Sequence, residues 1–282
     1  MSAVSQAPRA ITDTGRVEVP GSSLYYEAAG AGSPVILLHA GYLDRRMWDD
    51  QFLLLARTYR VIRYDARGFG RSGPADSPYS SFEDLYALIR ALKLTRVTLI
   101  GASLGGVASL DLAVTHPEVV DRLVLIGPGL SGYAWAPEDL NQRWRVEARA
   151  ALGRADTVGV ALAWIHSDYL LPASEQAPAA AKLRILLADN VGFWKGLLRH
   201  HEGYDTAPSP PALKRLAAVG APTLLIVGSR DVRDIRQIVD TLRRRLANAR
   251  TVVFQGAGHL PSMEQPDRFS ATVLDFLHRR RF

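Results

Sequence analysis

A chain of 282 residues with 48% hydrophobic and 22% charged content can bury a full-sized core within one α/β domain. Zero cysteines exclude disulfides, thiolate catalysis and cysteine–zinc sites, and no apolar run reaches the roughly 18–20 residues that span a bilayer. The net charge of +6 gathers in Arg243–Arg244–Arg245 and Arg279–Arg280–Arg281 on amphipathic helical patterns. Solvated faces and helix C-terminal dipoles account for such clusters, so neither a nucleic acid nor a membrane is expected as a partner. Residues 1–15 hold no apolar signal core and read as a mobile tail, which makes the cytoplasm the default location.

Along the chain, Arg16–Val19 and Leu24–Ala28 flank a Pro-Gly-Ser-Ser turn and predict an opening hairpin. Short apolar runs follow at Pro34–His39, Arg60–Asp65, Arg96–Gly101 and Asp121–Gly127, with helical patterns at Phe82–Lys93 and Leu104–Thr115 between them. After Gly127 the alternation stops: residues 129–211 are rich in Ala, Leu, Arg and Trp, are punctuated by proline, and show helical periodicity. A segment of that length is too long for a loop and reads as a helical lid. The alternation resumes with strand Thr223–Gly228, helix Ile235–Ala247, strand Thr251–Gln255 and a final helix near Pro266–Arg280. This pattern predicts an α/β fold, a mostly parallel eight-stranded sheet with helices on both faces. The core would span residues 16–128 and 212–282, with 129–211 as the inserted lid.

Gly101-Ala-Ser103-Leu-Gly105 has the spacing G-x-S-x-G, preceded by the strand RVTLI and followed by the helical LGGVASLDLAV. A strand–turn–helix of this kind lifts a serine hydroxyl above the sheet, and its glycines let backbones pass closely. A serine hydroxyl is a weak nucleophile near neutral pH and needs a base and an orienting acid, expected here in the chain order Ser, acid, His. His259 lies past the last strand, at a carboxyl strand end where catalytic groups of open α/β sheets gather. Asp231 follows the strand TLLIVG at another carboxyl end. Asp234, three residues on, is the rival acid, with the start of the next helix as its alternative role. The N–H of Leu104 is one expected oxyanion donor, and Gly41, in the loop after Pro34–Leu38, is the other. Tyr42 borders the pocket or packs the loop; Trp144, Trp164 and Leu260 are the further pocket candidates, with Trp135 and Trp194 also in the lid. The other histidines, His116, His166, His200, His201 and His278, carry no such placement. No metal or organic cofactor is called for; the expected partner is a small-molecule ester or lactone, with oligomeric state left open.

With these residues in hand, the chain resembles the α/β-hydrolase family from about Val17 to its C-terminus. LLHAGYLDRRMW resembles the family's oxyanion-loop segment, RYDARGFGRS the segment after its fourth strand, GASLGG the elbow, VGSRD the acid loop and GAGHLPSMEQP the histidine loop. The resemblance makes His39 and the Arg63–Ser72 segment scaffold, with Asp65, Arg67 and Ser72 tying turns. Within the family, short-lidded bacterial esterases and 3-oxoadipate enol-lactonases are the most similar branch. His39–Ala40 stands where many relatives carry His-Gly, and the longer glycine-rich pattern of the carbon–carbon bond hydrolases is missing. The implied activity is that of a carboxylesterase-type serine hydrolase acting on small to medium acyl chains through an acyl-enzyme. The alternatives are a lactonase, a cofactor-free perhydrolase or acyltransferase, and a slow-hydrolase ligand sensor.

Overall fold

Runs such as Val35, Ile36, Leu37 and Leu38 have no polar alternation, and all four side chains are essentially inaccessible, because helices cover both faces of the strand they form. The computed structural model describes residues 13–136, 143–190 and 205–279. Residues 1–12, Trp194, His200, His201, Arg280 and Arg281 lie outside the described residues. The strands are β1 (Asp13–Val19), β2 (Ser22–Ala29), β3 (Pro34–Leu38), β4 (Arg60–Tyr64), β5 (Val97–Ala102), β6 (Val120–Ile126), β7 (Thr223–Gly228) and β8 (Ala249–Phe254). They form an eight-stranded sheet in the order β1-β2-β4-β3-β5-β6-β7-β8. β1 and β2 are antiparallel, β2 meets β4 antiparallel, and every other pairing is parallel. The α/β architecture expected from the alternation is therefore present.

Two boundaries differ from expectation at the sheet edges. Residues 13–15, expected in the tail, are strand: Asp13, Thr14 and Gly15 pair with Ala28, Glu27 and Tyr26. The polar Asp-Thr-Gly carries no strand pattern, but Gly15 lets the Tyr26 ring lie over it, where an added Cβ would come within 2.9 Å. The Tyr26 hydroxyl then donates to Asp13 Oδ2 at 2.9 Å. At the opposite edge β8 begins at Ala249 rather than Thr251, paired with Thr223 of β7.

The helices of the first half are α1 (Asp49–Leu55), α2 (Ser81–Ala91) and α3 (Leu104–Thr115). Those between β6 and β7 are α4 (Arg143–Gly153), α5 (Thr157–Ile165), α6 (Leu171–Ser174), α7 (Ala177–Asp189) and α8 (Ala212–Arg215). Beyond β7 come α9 (Arg233–Arg245), α10 (Pro261–Glu264) and α11 (Pro266–His278). Arg243, Arg244, Arg245 and Arg279 are exposed, and Arg243 and Arg244 bond Asp240 while Arg279 bonds Asp275. No helix among the described residues is long and apolar enough to cross a membrane.

The segment between β6 and β7 is fastened to the rest where it leaves β6 and at the end of α7. Asn190, at the end of α7, donates to Asp44 Oδ2 at 2.8 Å and accepts the Gly70 N–H at 2.7 Å. Where the chain leaves β6, Ser131 Oγ donates to Asp111 Oδ1 of α3 at 2.5 Å and accepts the Ala212 N–H at 2.9 Å, while the Ser131 carbonyl takes the Leu213 N–H. Burial pushes the Asp111 carboxyl up to about 7, assisted by the charge of Asp205 and opposed by the Ser131 hydrogen bond. An unfolded chain loses this proton near 3.8 while the folded chain holds it to about 7. The folded state therefore binds more protons in that window, and this group's contribution falls as pH rises through it. Asp111→Asn keeps an acceptor for Ser131 without the charge. Its melting temperature, relative to the parent protein, is expected to rise by several degrees between about pH 5 and 8, as measured by scanning calorimetry. A constant difference across that range would contradict the buried-carboxyl account.

Candidate active site

β5 delivers Ser103 onto a turn with φ 50° and ψ −109°, a left-handed conformation that costs a non-glycine residue of the order of 1–3 kcal/mol. The turn is possible because its flanking residues lack side chains. A Cβ on Gly101 would lie 2.4 Å from the Gly105 carbonyl oxygen, and one on Gly105 would lie 2.6 Å from Leu38. The Ser103 N–H donates to the Ile126 carbonyl at 2.9 Å, and its carbonyl accepts the Val107 and Gly129 N–H groups. The backbone is thus fully engaged, while the side chain stands half-buried at the carboxyl end of the sheet.

Asp231 and His259 meet over β6. His259 Nδ1 lies 3.0 Å from both Asp231 oxygens, and Asp231 Oδ1 also accepts the Val232 N–H at 2.8 Å. The two residues are only 3% and 4% exposed, so their interaction is little screened. They lean against Gly127, where a Cβ would lie 3.0 Å from both Asp231 Oδ2 and His259 Nδ1. Gly127 follows Ile126, whose carbonyl holds the Ser103 amide, so the serine and the Asp–His pair flank the same strand end. Among the described residues, Ser103 Oγ makes no hydrogen bond, to His259 or to any other group.

The histidine loop is held by a residue that sequence reasoning missed. Glu264 Oε2 accepts the Gly258 N–H at 2.8 Å and Oε1 accepts the Leu260 N–H at 2.9 Å, fixing the loop on both sides of His259. Burial raises the Glu264 carboxyl pKa against the lowering effect of those two bonds. Its fixed spacing within GAGHLPSME was the available signal. Gly228, the last residue of β7, is equally demanding: a Cβ there would lie 2.0 Å from the Gly258 carbonyl oxygen and 2.3 Å from that of Ala257. Gly228→Ala is expected to displace the loop, costing about 1–3 kcal/mol, or roughly 3–10 °C in melting temperature, and at least tenfold in turnover. Thermal denaturation and ester assays on the purified variant would measure both.

The remaining sequence candidates separate cleanly. Gly41 neighbours Leu104, its notional Cβ lying 3.8 Å from Leu104 Cβ and Cδ2. Neither the Gly41 nor the Leu104 N–H meets an acceptor among the described residues. Space alone does not require glycine at 41, since 3.8 Å is ordinary contact. Asp234 is engaged elsewhere, accepting from the Tyr133 hydroxyl at 3.1 Å and the Ala136 N–H at 2.7 Å. His39 Nδ1 contacts the Ala40 carbonyl at 2.8 Å and Nε2 accepts the Ala66 N–H at 2.9 Å, which occupies both ring nitrogens with loop backbone. Asp65 takes the Arg45 and Arg71 N–H groups, Ser72 Oγ donates to the Asp65 carbonyl, and Arg67 forks onto Asp84.

Tyr42, Trp144 and Trp164 come together. The Trp164 ring lies 4.4 Å from Tyr42, 4.2 Å from Trp144 and 5.8 Å from Tyr169, and Tyr169 meets His259 edge-on at 5.1 Å. Tyr169 was not singled out in the sequence; no pattern marks it. Leu260 adjoins His259 in the chain but is wholly buried. A small cavity of about 20 Å³ is lined by Leu104, His39, Tyr64, Phe69, Tyr79 and Asp205 among others.

A strained serine elbow and a buried aspartate–histidine pair at the carboxyl ends of a mostly parallel sheet define the α/β-hydrolase class. The chain belongs to the alpha/beta hydrolase family, whose model matches residues 35–272. It is 30% identical over 257 residues to RutD of Pseudomonas savastanoi pv. phaseolicola, a protein named for carbamate hydrolysis, covering 88% of this chain and 95% of that one. It is 30% identical over 283 residues to 2-hydroxy-6-oxo-6-(2'-aminophenyl)hexa-2,4-dienoic acid hydrolase of Metapseudomonas resinovorans, covering 94% and 90%. The crystal structure of the enol-lactonase from Burkholderia xenovorans superposes with a TM-score of 0.76 at 26% identity, covering 94% of this chain and 100% of that one.

Proposed function

We propose that this hydrolase is a serine enzyme that cleaves carboxylic esters of small to medium acyl chain through an acyl-enzyme. Ser103 is the nucleophile, His259 the general base and Asp231 its orienting acid. The observation that carries the reading is the Asp231–His259 pair, 3.0 Å apart, set against the strand end that holds the Ser103 backbone. His259 Nε2 takes the Ser103 proton as Oγ attacks the ester carbonyl, and Asp231 stabilises the imidazolium. The developing oxyanion is received by the N–H groups of Leu104 and Gly41, two residues that neighbour each other and whose N–H groups meet no acceptor among the described residues. His259 then protonates the leaving alcohol and activates the water that releases the acid. Residues 129–211 act as a lid over a core formed by 16–128 and 212–282, and the Tyr42, Trp144 and Trp164 rings give the pocket an apolar wall.

A second reading, lactonase, draws support from the likeness to the enol-lactonase structure. A lactone is a cyclic ester and passes through the same Ser103 acyl-enzyme; the ratio of kcat/KM for lactones and linear esters separates the two. The serine-hydrolase reading is tested by covalent labelling with a fluorophosphonate followed by peptide mapping. Label on Ser103, with a burst of nitrophenolate from a 4-nitrophenyl ester, is expected. Turnover without labelling at Ser103 would overturn it.

A further inference from the structure

We propose that Arg145 receives a carboxylate carried on the acyl part of the substrate, so that the preferred substrates are half-esters of dicarboxylic acids. The proposal rests on the serine-hydrolase reading above and names the substrate class of the same site.

Four observations carry it. Arg145 lies on α4 with its guanidinium over the Trp144 ring, 4.9 Å from the centroid. An aromatic wall runs from His259 through Tyr169 and Trp164 to Trp144, and Trp164 also contacts Tyr42 beside Gly41. The Arg145 charge reaches into this wall: burial pushes the Tyr42 hydroxyl up to about 12, and Arg145 acts against that rise. Finally, Arg145 Nε is buried without a hydrogen-bond partner. Among the described residues, no carboxylate lies within salt-bridge distance of Arg145.

The orphaned Nε separates Arg145 from the other described arginines, none of which has a buried nitrogen without a partner. Arg45, Arg46, Arg63 and Arg67 each hold at least one carboxylate at 2.9 Å or less. A buried donor left unsatisfied is costly, and more so when the group is charged. An aromatic face holds the guanidinium plane while leaving its edge donors available, the arrangement that suits a planar carboxylate. One cation balances one anionic charge, so a carboxylate matches it better than a dianionic phosphate, which gathers several cations. During turnover the carboxylate stays on the acyl group. The Ser103 Oγ–acyl bond forms as the acyl–alkoxy bond breaks, the alcohol leaves with the proton from His259, and water releases a dicarboxylic acid.

The test compares mono-(4-nitrophenyl) glutarate with 4-nitrophenyl pentanoate in the parent protein, Arg145→Gln and Arg145→Lys. The parent protein is expected to favour the half-ester in KM, and Arg145→Gln to raise that KM about 10- to 100-fold, with kcat and the neutral ester little changed. Arg145→Lys should recover part of the preference, since it restores charge but not the planar fork. Calorimetric binding of glutarate itself needs no turnover and separates the two readings. Glutarate binding that is lost in Arg145→Gln supports the carboxylate site even if no ester is cleaved. Equal handling of charged and neutral esters by all three proteins, with no glutarate binding, overturns it while leaving the Ser103 chemistry intact.

Discussion

Alanine at position 103 is expected to lower ester turnover by about 10⁴–10⁶-fold while leaving the melting temperature within a few degrees of the parent protein. The effect is large because the hydroxyl is the only atom lost. The φ 50° backbone is imposed by the Ile126, Val107 and Gly129 hydrogen bonds, none of which involves the side chain. Alanine must adopt the same strained turn, so the elbow and its amide donors persist. Residues that act as one unit are not additive, and Ser103→Ala combined with His259→Ala is expected to cost no more than either alone. Steady-state kinetics on the three variants measure this. A double variant at least a hundredfold worse than both singles would place Ser103 and His259 in separate roles.

The second large effect is expected at Asp231. Asp231→Asn should cut kcat about 10⁴-fold with little change in KM, whereas Asp234→Asn should stay within about threefold of the parent protein. The reason lies in what else the carboxylate holds. Asp231 Oδ1 accepts the Val232 N–H as well as facing His259 Nδ1. An asparagine satisfies Val232 with its carbonyl oxygen and turns its NH₂ toward Nδ1. That makes Nδ1 an acceptor and moves the imidazole proton to Nε2, the nitrogen proposed to take the serine proton. Asp234, by contrast, holds Tyr133 and Ala136 and does not touch His259. Comparable losses in both variants would show that the acid role is shared between them.

Local pattern and tertiary contact divide the information about this protein. Residues in the interior of the sheet were legible because apolar runs covered on both faces have one stable use, and helix α3 begins and ends where the sequence marks it, at Leu104 and Thr115. The sheet edges were less legible, since Asp13–Gly15 owe their strand conformation to β2 rather than to their own propensity. Motif spacing at the carboxyl strand ends singled out Ser103, Asp231 and His259 because chain order and strand position are properties of sequence alone. It left Asp231 and Asp234 as rivals three residues apart, and only the contact with His259 at 3.0 Å separates them. The same holds for Glu264, Gly228 and Tyr169: each acts through a neighbour distant along the chain or across a loop, which a one-dimensional pattern does not carry. Arg145 is the extreme case. In sequence it is one of 34 basic residues. Its place over Trp144, on the wall that starts from His259, exists only once α4 packs against α5, because charge and burial are decided by what surrounds a side chain and not by what precedes it.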